Sequence, residues 1–589
     1  MNRKTNLISS VALLATAFTG CSSGTSSTPI PVCNNSCQTQ AATQCSGSQV
    51  QTCNADANGC LAWAAAVACG TGQTCFPAAN KCQNDPCTGV PLAGRCADTM
   101  TIEMCRAATG QGSPALYTYR CQPGQVCSTQ TGSATCQNTG SCTPGAAICL
   151  DSTHLQTCNA GSPVTTICAN ACSNTALGGL CTSTVPTRTL TFTVKYSLRG
   201  PNLDYSDWST TTSDVTISGL LVFSLRATDP NPIDVQTTDA NGRVSIQVPT
   251  SLLAGDRIGL AAAASDGVGG LAFVVADPGF ASPGPQQVPS VGTPKLWLWA
   301  TATGSITDGG TITITENNGS GALRVFDYLR YVYYRSRALE GDRRGRTLVV
   351  WLGYGTSWSC GSCFALIPTV VSNLFFDSEI WLNGDNNMEY WSDAVTAHEL
   401  GHWVMASYGT PPNEGGLHFL GVPSLPGLAW SEGWATWHSS SARQNSFYFD
   451  KQAGSMFWLD ISSNRYGGGV PWQLPTPAGG LLQFMDENEV SSMLWSISSA
   501  STVGAPPLFT ALASAHMNTS PWGRGYTRHT WDLDSTGHPI NVIDTGSLAP
   551  AIPDFLDALN CAGVSRSVID GATIPTTQYP YPSASPICP

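Results

Sequence analysis

Cysteine is concentrated in one part of this sequence and limits what that part can fold into. Of the 25 cysteines in the chain, 20 lie between Cys33 and Cys181, with little apolar sequence between them. Units of about 45 residues bury too little apolar surface to be stable alone, so cross-links have to replace a core. The spacing shows a loose threefold repeat of six cysteines: Cys37, Cys45, Cys53, Cys69, Cys75 and Cys82; Cys87, Cys96, Cys105, Cys121, Cys127 and Cys136; Cys142, Cys149, Cys158, Cys168, Cys172 and Cys181. We therefore predict a disulfide-rich repeat region over residues 33–181.

Zinc binding is the competing explanation for so many cysteines. The region has no pair with the C-x-x-C spacing of zinc sites, and His154 is its only histidine, so we favour disulfides. Cys33 and Cys60 fall outside the repeat and are predicted to pair with each other. Spacing alone does not give the connectivity of the others. The sequence leaves two roles open for the region, a rigid stalk and a module that binds a surface partner.

The N-terminus has the features of an export signal. Two basic residues precede a short apolar segment over residues 7–18, which is too short to remain as a membrane span. We predict that residues 1–20 are a signal peptide and that residues 21–32, rich in Ser, Thr and Pro, are a linker. The Gly-Cys pair ending at Cys21 resembles a bacterial lipobox, which implies lipidation of Cys21 and a place at the outer membrane or cell surface through the lipid anchor alone. Phe18 replaces the usual leucine, so ordinary signal cleavage and secretion are the alternative.

Residues 183–300 differ in character from the cysteine-rich region. Stretches such as 189–196 and 244–248 alternate apolar and polar residues, and the Asn-Gly pair at 241–242 is a strong turn signal. This segment resembles the small β-sandwich modules that often accompany extracellular peptidases. We expect a multidomain chain in which a β-sandwich-like module precedes an α+β domain over residues 301–589.

A metal-binding pattern lies in the last of these segments. Residues 393–406 form a helical run that contains His398-Glu399-Leu-Gly-His402. Positions i and i+4 share one face of a helix, so His398 and His402 can bind one metal ion. Glu399 beside them can act as general base toward a metal-activated water. The alternative is a pair of structural histidines on a buried helix, which is the role that we expect for His438 farther along the chain.

A catalytic zinc needs a third protein ligand. The metzincin continuation is excluded, because Met405 and Tyr408 occupy the positions of its glycine and third histidine. Residues 429–437 form a second helical segment that carries Glu432 on its first turn, and Glu432 is the candidate ligand. His418, in the Gly- and Pro-rich loop between the two segments, is the alternative ligand. Glu432 could instead be a helix-start carboxylate that the helix dipole favours without any metal.

H-E-L-G-H followed by W-x-E-G-x-A resembles the gluzincins, the thermolysin-like and aminopeptidase-like zinc peptidases. The resemblance implies a zincin-like catalytic domain in which Zn²⁺ is held by His398, His402 and Glu432. It also implies that Glu399 is the catalytic base in peptide-bond hydrolysis. Thermolysin-like members usually carry an aspartate four residues after the ligand glutamate, where it orients a zinc-bound histidine. Thr436 stands at that position here, which implies either another group in that role or a separate branch.

Further expectations concern the surroundings of the site. The partly alternating stretch 374–383 is predicted to be an edge strand that pairs with a peptide substrate. Cys360 and Cys363 are expected to form a structural disulfide, locally or with Cys561 and Cys588. A side chain that stabilises the oxyanion is also expected, and sequence does not choose among the candidates Tyr466, His516, Tyr526, His529 and His538.

Composition and charge exclude one class of partner. The formal net charge is −12 and charged residues make up 11% of the chain, which does not favour nucleic acid. We predict an exported zinc metalloendopeptidase that acts on protein or peptide substrates. One alternative is a surface adhesin or binding lipoprotein with a degenerate peptidase domain. Another is a zinc hydrolase that acts on a different substrate, such as a cell-wall peptide.

Overall fold

The computed structural model of the chain contains two units, residues 1–85 and residues 86–589. It describes residues 36–573 except for these segments: 38, 47–48, 57–59, 72, 77–80, 85–88, 91–94, 98–100, 107–114, 121–124, 129–134, 139–146, 160–161, 176–177, 184, 230, 266–270, 281–284, 287–290, 342–344, 367–368, 372–373, 413–417, 469–485, 519–528, 534–538 and 545–549. Several predicted features lie outside the described residues: the signal peptide, the linker, Cys21, Cys33, Tyr526, His538 and Cys588.

The first unit consists of short antiparallel strands joined by disulfides. Its strands are β1 (Thr43–Ser46), β2 (Gln49–Ala55), β3 (Leu61–Trp63), β4 (Val67–Ala68), β5 (Gln73–Phe76) and β6 (Lys81–Asn84). β2 pairs with β1, β3 and β4, while β5 and β6 form a hairpin. The disulfides between described residues of the unit include Cys37–Cys53, Cys45–Cys75 and Cys69–Cys82. Cross-links thus replace an apolar core, as the small size of the unit requires.

The same pattern recurs twice in the second unit, each time as a three-stranded antiparallel sheet followed by a hairpin. The strands are β7 (Arg95–Cys96), β8 (Thr101–Arg106), β9 (Ala115–Arg120), β10 (Gln125–Ser128) and β11 (Thr135–Asn138), then β12 (Ala147–Cys149), β13 (His154–Asn159), β14 (Ser162–Ile167), β15 (Ala171–Thr175) and β16 (Gly178–Thr182). The disulfides between described residues of these two copies include Cys96–Cys127, Cys149–Cys172 and Cys168–Cys181. The predicted disulfide-rich region is therefore confirmed.

One disulfide connectivity runs through the repeats. The second cysteine of each copy bonds to the fifth, as in Cys45–Cys75, Cys96–Cys127 and Cys149–Cys172. The fourth bonds to the sixth in the first and third copies. Cys60 is also disulfide-bonded, and its predicted partner is outside the described residues.

Two sheets with a shared core follow the repeats. The strands of this segment are β17 (Thr187–Leu198), β18 (Ser213–Thr216), β19 (Leu221–Leu225), β20 (Pro232–Thr237), β21 (Arg243–Pro249), β22 (Arg257–Ala261), β23 (Ala263–Ser265), β24 (Leu271–Asp277), β25 (Pro285–Gln286), β26 (Lys295–Leu296), β27 (Leu298–Ala302) and β28 (Gly310–Ile314). One sheet has the order β18-β17-β21, with β28 parallel to β17, and the other has the order β20-β19-β22-β27. Alternate residues of β17, from Leu190 to Tyr196, are buried in the core, which gives the period of two seen in the sequence.

A mixed sheet supports the helices of the candidate site. The elements that follow β28 are α1 (Ser320–Leu339), β29 (Leu348–Leu352), β30 (Ser357–Trp358), β31 (Cys363–Ala365), β32 (Thr369–Val371), β33 (Leu374–Phe376) and β34 (Ser378–Leu382). The sheet has the order β23-β24-β29-β34-β31, in which β24, β29 and β34 are parallel and β31 is antiparallel. Val350 and Ile380 pack in the core that includes α1, whereas Val349 and Trp381 pack in an apolar cluster on the other face. Because both faces are covered, the central strands are apolar throughout.

The predicted boundary at residue 300 does not separate two sheets. β24, from the predicted sandwich module, pairs in parallel with β29, from the predicted catalytic domain. β28 lies beyond the boundary but pairs with β17. One apolar core contains residues from Leu190 to Ala572. Strand periodicity identified the strands but carries no information about which sheet each one joins.

The predicted edge strand is wrong, because the stretch 374–383 provides an interior strand. It contains β33, which pairs with β32, and β34, which lies between β29 and β31. All five residues of β34 are buried. Among the described strands, β31 has β34 as its only neighbour, so β31 is the edge of this sheet.

Both sequence motifs lie on helices, as predicted. The remaining elements are α2 (Asp393–Tyr408), α3 (Pro426–Arg443), β35 (Phe447–Gln452), β36 (Ser455–Asp460), β37 (Arg465–Gly468), α4 (Glu487–Ser499), α5 (Pro506–Leu512), α6 (Ala515–Asn518), β38 (His529–Leu533), β39 (Pro539–Asp544), α7 (Ile552–Cys561) and α8 (Arg566–Thr573). α2 begins after Ser392, whose hydroxyl accepts a hydrogen bond from the Val395 N–H. α3 begins with Pro426, a residue suited to the first helical position. α3 packs against α2 on one side and α4 on the other, and β35 lies beside α2.

Disulfides also occur outside the repeats. Cys360 and Cys363 bond to each other, which is the local arrangement of the two predicted ones, and Cys561 is disulfide-bonded as well. So many disulfides indicate that the chain folds in an oxidising compartment. Within the described part of the chain, no helix combines the length and the hydropathy needed to span a bilayer.

Candidate metal centre

The helices α2 and α3 approach each other closely at the H-E-x-x-H motif. A Cβ atom on Gly401 of α2 would lie 2.8 Å from the Cα atom of Ala435 on α3, so glycine is needed for this approach. Three α3 side chains donate hydrogen bonds to α2 carbonyls: Trp434 Nε1 to Gly401 at 3.1 Å, His438 Nδ1 to Ala397 at 3.1 Å and Ser439 Oγ to Ala394 at 2.8 Å. These bonds fix the position of α3 along α2.

This packing brings the three predicted ligands together. His398 Nε2 and His402 Nε2 are 3.2 Å apart, and they lie 3.0 and 3.2 Å from Glu432 Oε2. In a tetrahedral site with metal–ligand bonds of about 2.0 to 2.1 Å, neighbouring ligand atoms are roughly 3.3 Å apart. The side chains are only 9%, 13% and 11% exposed, respectively. The cluster therefore has the size and the donor atoms to hold one metal ion.

Hydroxyl groups contact the outer nitrogens of both histidines. Thr436 Oγ1 lies 3.1 Å from His398 Nδ1, and Ser431 Oγ lies 3.1 Å from His402 Nδ1. Thr436 thus occupies the place that the gluzincin resemblance gives to an aspartate, and its own hydroxyl makes the contact to the ring. The sequence did not point to Ser431, because its contact depends on how α3 lies along α2.

Electrostatics in the cluster keep Glu432 ionised. Burial alone would raise the pKa of Glu432, but the imidazoles of His418, His402 and His398 around it hold this pKa well below its usual range. An ionised carboxylate is the form that binds a metal ion. α3 begins at Pro426, so the prediction that Glu432 lies on the first turn of its helix is wrong, and Glu432 is a buried carboxylate surrounded by three imidazoles instead of a helix-start carboxylate.

Glu399 has a different environment from Glu432, although both are buried. It is 4% exposed, and burial raises its pKa to about 8 against the opposing influence of His402 and His418. Its Oε2 atom accepts no hydrogen bond from any described group. The carboxyl group can therefore exchange a proton near neutral pH.

His418 belongs to a second His–Glu cluster rather than to the first. The ligand atoms of His398, His402 and Glu432 all lie within 4.8 Å of one another. The ligand atoms of His418, Glu432 and Glu487 form a second group with mutual distances within the same 4.8 Å. Its Nδ1 atom is 2.5 Å from Glu487 Oε2, and its Nε2 atom is 3.7 Å from Glu432 Oε2. Burial lowers the pKa of His418, but the carboxylates of Glu432 and Glu487 outweigh it and raise this pKa to about 10. The geometry favours Glu432 over His418 as the third ligand and places a charged imidazole beside it.

Two aromatic side chains that the sequence did not single out border the cluster. The Tyr448 ring on β35 packs edge-on against His398, with ring centroids 5.6 Å apart. The Phe364 ring on β31 lies nearly parallel to His402, with centroids 6.4 Å apart. Burial and nearby carboxylates, Asp450 foremost, hold the pKa of Tyr448 well above its usual range, so its hydroxyl keeps its proton. No local sequence pattern around Tyr448 shows which helix its strand adjoins.

Two of the predicted oxyanion-stabilising candidates, Tyr466 and His516, have described side chains, and their described contacts lie outside the metal cluster. Tyr466 lies on β37, across β36 from Tyr448, and packs in a small apolar cluster. His516 Nε2 is 3.9 Å from Asp557 Oδ2 on α7. The His529 side chain is not described. His438 is structural, as expected, since its Nε2 accepts a hydrogen bond from Ser336 Oγ at 2.9 Å.

The findings that bear on function are thus a buried cluster of two histidines and a glutamate, an adjacent buried acid and a charged histidine beside them. These groups come from two helices, α2 and α3, and from the loop between them. Comparison with models of protein families and with curated proteins finds no match to this sequence.

Proposed function

We propose that the chain is a zinc metalloendopeptidase of gluzincin type. The observation that carries the proposal is the convergence of His398 Nε2, His402 Nε2 and Glu432 Oε2 at 3.0 to 3.2 Å. Two imidazoles and one carboxylate are a donor set that zinc binds, and three protein ligands are typical of catalytic rather than structural zinc sites. Zinc held there would polarise a substrate carbonyl and lower the pKa of a water molecule.

Glu399 is the proton carrier in this proposal. It is buried on α2, directly after the ligand His398 and three residues before the ligand His402 in the sequence, so its carboxyl group is held beside the cluster. Its carboxylate takes a proton from the attacking water and gives it to the leaving amine. The carboxyl oxygen that lacks a described hydrogen-bond partner supports this role.

His418 and Tyr448 are the proposed donors to the oxyanion. The carboxylate of Glu487 contacts Nδ1 of His418, and the Nε2–H of the same ring faces Glu432. Tyr448 lies against His398 and keeps its proton. Positioned donors of this kind stabilise negative charge that develops on the substrate oxygen.

β31 is the proposed edge for a peptide substrate, in place of the stretch 374–383. Its outer side has no partner among the described strands, and Phe364 on it borders His402. An extended peptide can add to such an edge through main-chain hydrogen bonds.

Replacement of Glu399 by Gln tests the function. We expect the variant to retain about one zinc ion per chain but to lose at least about 100-fold in peptide cleavage, because amide cannot accept the proton. The readouts are metal content and new termini in a complex peptide mixture, both by mass spectrometry. Glu379→Gln is the matched control, since Glu379 is also buried but lies on β34. Cleavage by Glu399→Gln at the original rate would refute the assignment.

The proposal extends to the location of the protein. The oxidising compartment indicated by the disulfides supports export, and the Gly-Cys pair supports a lipid anchor on Cys21. Mass spectrometry of the mature N-terminus distinguishes a lipidated Cys21 from an N-terminus produced by ordinary signal cleavage.

A surface-binding protein with an inactive peptidase domain is the second candidate. One observation favours it: Ile148 in β12, Leu150 directly after β12 and Ile167 in β14 are 50%, 52% and 72% exposed. The strand register places them on the same face of the sheet β12-β13-β14. The same metal measurement separates the two candidates, because a folded chain that binds no zinc would favour the surface-binding function.

A further inference from the structure

A single helix, α3, contacts both nitrogens of each histidine in the metal cluster. Glu432 faces the Nε2 atoms of His398 and His402. The hydroxyls of Thr436 and Ser431 contact the Nδ1 atoms of the same two rings. The ligand and both hydroxyls therefore lie within six residues of one helix, and their relative positions are fixed by its geometry.

The two ring nitrogens have different roles when a metal is bound. The metal takes the nitrogen that carries no proton, here Nε2, so the proton is on Nδ1 and is donated to a neighbouring acceptor. A helical Ser or Thr hydroxyl can accept this bond while its own hydrogen goes to a carbonyl of the preceding turn. The hydroxyl oxygens of Thr436 and Ser431 lie 3.1 Å from the Nδ1 atoms of His398 and His402, within reach of this bond.

The charge of the acceptor affects how tightly the metal is held. A carboxylate acceptor draws the Nδ1 proton toward itself and makes the imidazole a stronger donor to the metal, whereas a neutral hydroxyl does so less. The described partners of the two Nδ1 atoms are hydroxyls, and neither is a carboxylate. Glu432 is then the only source of negative charge among the ligands and the groups that hold them.

We infer that Thr436 and Ser431 are positioning residues that fix the tautomer and orientation of His398 and His402 through neutral acceptors. As a consequence, the site holds zinc less tightly than a carboxylate-supported site would. The inference rests on the proposed function, since it requires the cluster to bind zinc. It goes further, because it assigns the two hydroxyls a role that can be tested by measuring zinc affinity.

Zinc affinity, determined by chelator competition on the whole chain, is the measurement that tests Thr436. It shows whether the hydroxyl group of Thr436 matters or only the volume of its side chain. Thr436→Val keeps the shape but removes the acceptor, and we expect about 10- to 100-fold weaker binding. Thr436→Ser restores the acceptor and should bind within about threefold of the original chain. Thr436→Asp supplies a carboxylate and should bind at least about tenfold more tightly than the original chain. Ser431→Ala should weaken binding by a factor similar to that of Thr436→Val.

Ser440 provides the matched control. It is buried on the same helix, and its hydroxyl has no hydrogen-bond partner among the described groups. We expect Ser440→Ala to leave zinc affinity unchanged. Thermal unfolding of each metal-free variant, followed by circular dichroism, establishes that the variants are folded. If Thr436→Val does not fold, the comparison of Thr436→Ser with Thr436→Asp still decides the effect of acceptor charge.

The outcomes distinguish this inference from the proposed function. Equal zinc affinity of the original chain, Thr436→Val and Thr436→Asp would overturn the inference and leave a zinc peptidase intact. Weaker binding by Thr436→Asp than by Thr436→Val would also overturn it. A folded original chain that binds no zinc would overturn the proposed function, and the inference with it.

Discussion

His438 shows how burial decides what a histidine does in this chain. Its Nδ1–H donates to the Ala397 carbonyl and its Nε2 accepts from Ser336, so a neutral ring joins α3 to α2 and α1. Burial lowers the pKa of His438 to about 4, and the charges of Arg335, His398 and His402 also oppose its protonation. The ring is therefore neutral at pH 7 and takes no part in proton transfer.

The pH dependence of stability tests this role. The unfolded chain protonates His438 near pH 6.5 and the folded chain only near pH 4, so the folded state loses stability as the pH falls from 6.5 toward 4. The loss approaches about 3 kcal/mol relative to His438→Gln, whose amide offers a donor and an acceptor but does not titrate. Urea unfolding of both metal-free chains between about pH 7.5 and pH 4.5 measures the difference. A difference that stays constant over this range would contradict the neutral buried ring.

The ligands were easier to predict than the residues around them. The i, i+4 spacing places His398 and His402 on one face because helix geometry is local. The partner of His418 could not be predicted, because Glu487 is 69 residues away and on another helix. The contact of Ser431 depends on the relative position of two helices, which no local pattern specifies.

At the scale of elements, the approach of α2 and α3 forms the metal cluster, and Gly401 permits it. In Gly401→Ala the new Cβ atom would meet the Cα atom of Ala435 at 2.8 Å and the Ala435 carbonyl oxygen at 3.2 Å. A helix backbone cannot give way locally, so the helices have to separate. We expect a loss of about 1 to 3 kcal/mol in unfolding free energy. Because Glu432 moves with α3, zinc affinity should fall by about tenfold or more.

Gly571 on α8 is the matched control for this substitution. A Cβ atom there meets no atom within 4 Å. Gly571→Ala should therefore leave zinc affinity unchanged and alter stability by no more than about 1 kcal/mol, in the stabilising direction, since Ala favours helix. Chemical unfolding and chelator competition on both variants give the comparison. Equal effects of the two substitutions would mean that close packing at Gly401 does not position the ligands.

The edge strand shows where element-level prediction failed. The stretch 374–383 was predicted to be an edge strand, yet β34 within it lies between β29 and β31, and all five residues of β34 are buried. The actual edge, β31, has only three residues and follows directly on the Cys360–Cys363 disulfide loop, so its sequence carries too short a pattern to recognise. Strand order results from long-range packing, whereas the disulfide repeat was predictable because regular spacing is a property of the sequence itself.

At the scale of the whole molecule, two kinds of stabilisation occupy different parts of the chain. Among the described residues of the first unit, the disulfides Cys37–Cys53, Cys45–Cys75 and Cys69–Cys82 close loops of 16, 30 and 13 residues, Cys60 is also disulfide-bonded, and cysteines are prominent among the buried side chains. The metal cluster instead lies within an apolar core that extends from Leu190 to Ala572. Loops of this size contribute roughly 3 kcal/mol per disulfide, which is comparable to the whole stability of so small a unit.

Reduction should therefore unfold the first unit before it affects the metal cluster. With a dithiol reductant and a low concentration of protease, we expect the first cuts between β1 and β6, while α2 and α3 stay protected and zinc remains bound. Mass spectrometry of the fragments locates the cuts, and the same digestion without reductant is the control. The apolar core explains the expected protection, because burial of its side chains does not depend on the reduced bonds. Early cuts in α2 or α3, with zinc lost in the same step, would show instead that disulfides stabilise the metal cluster directly.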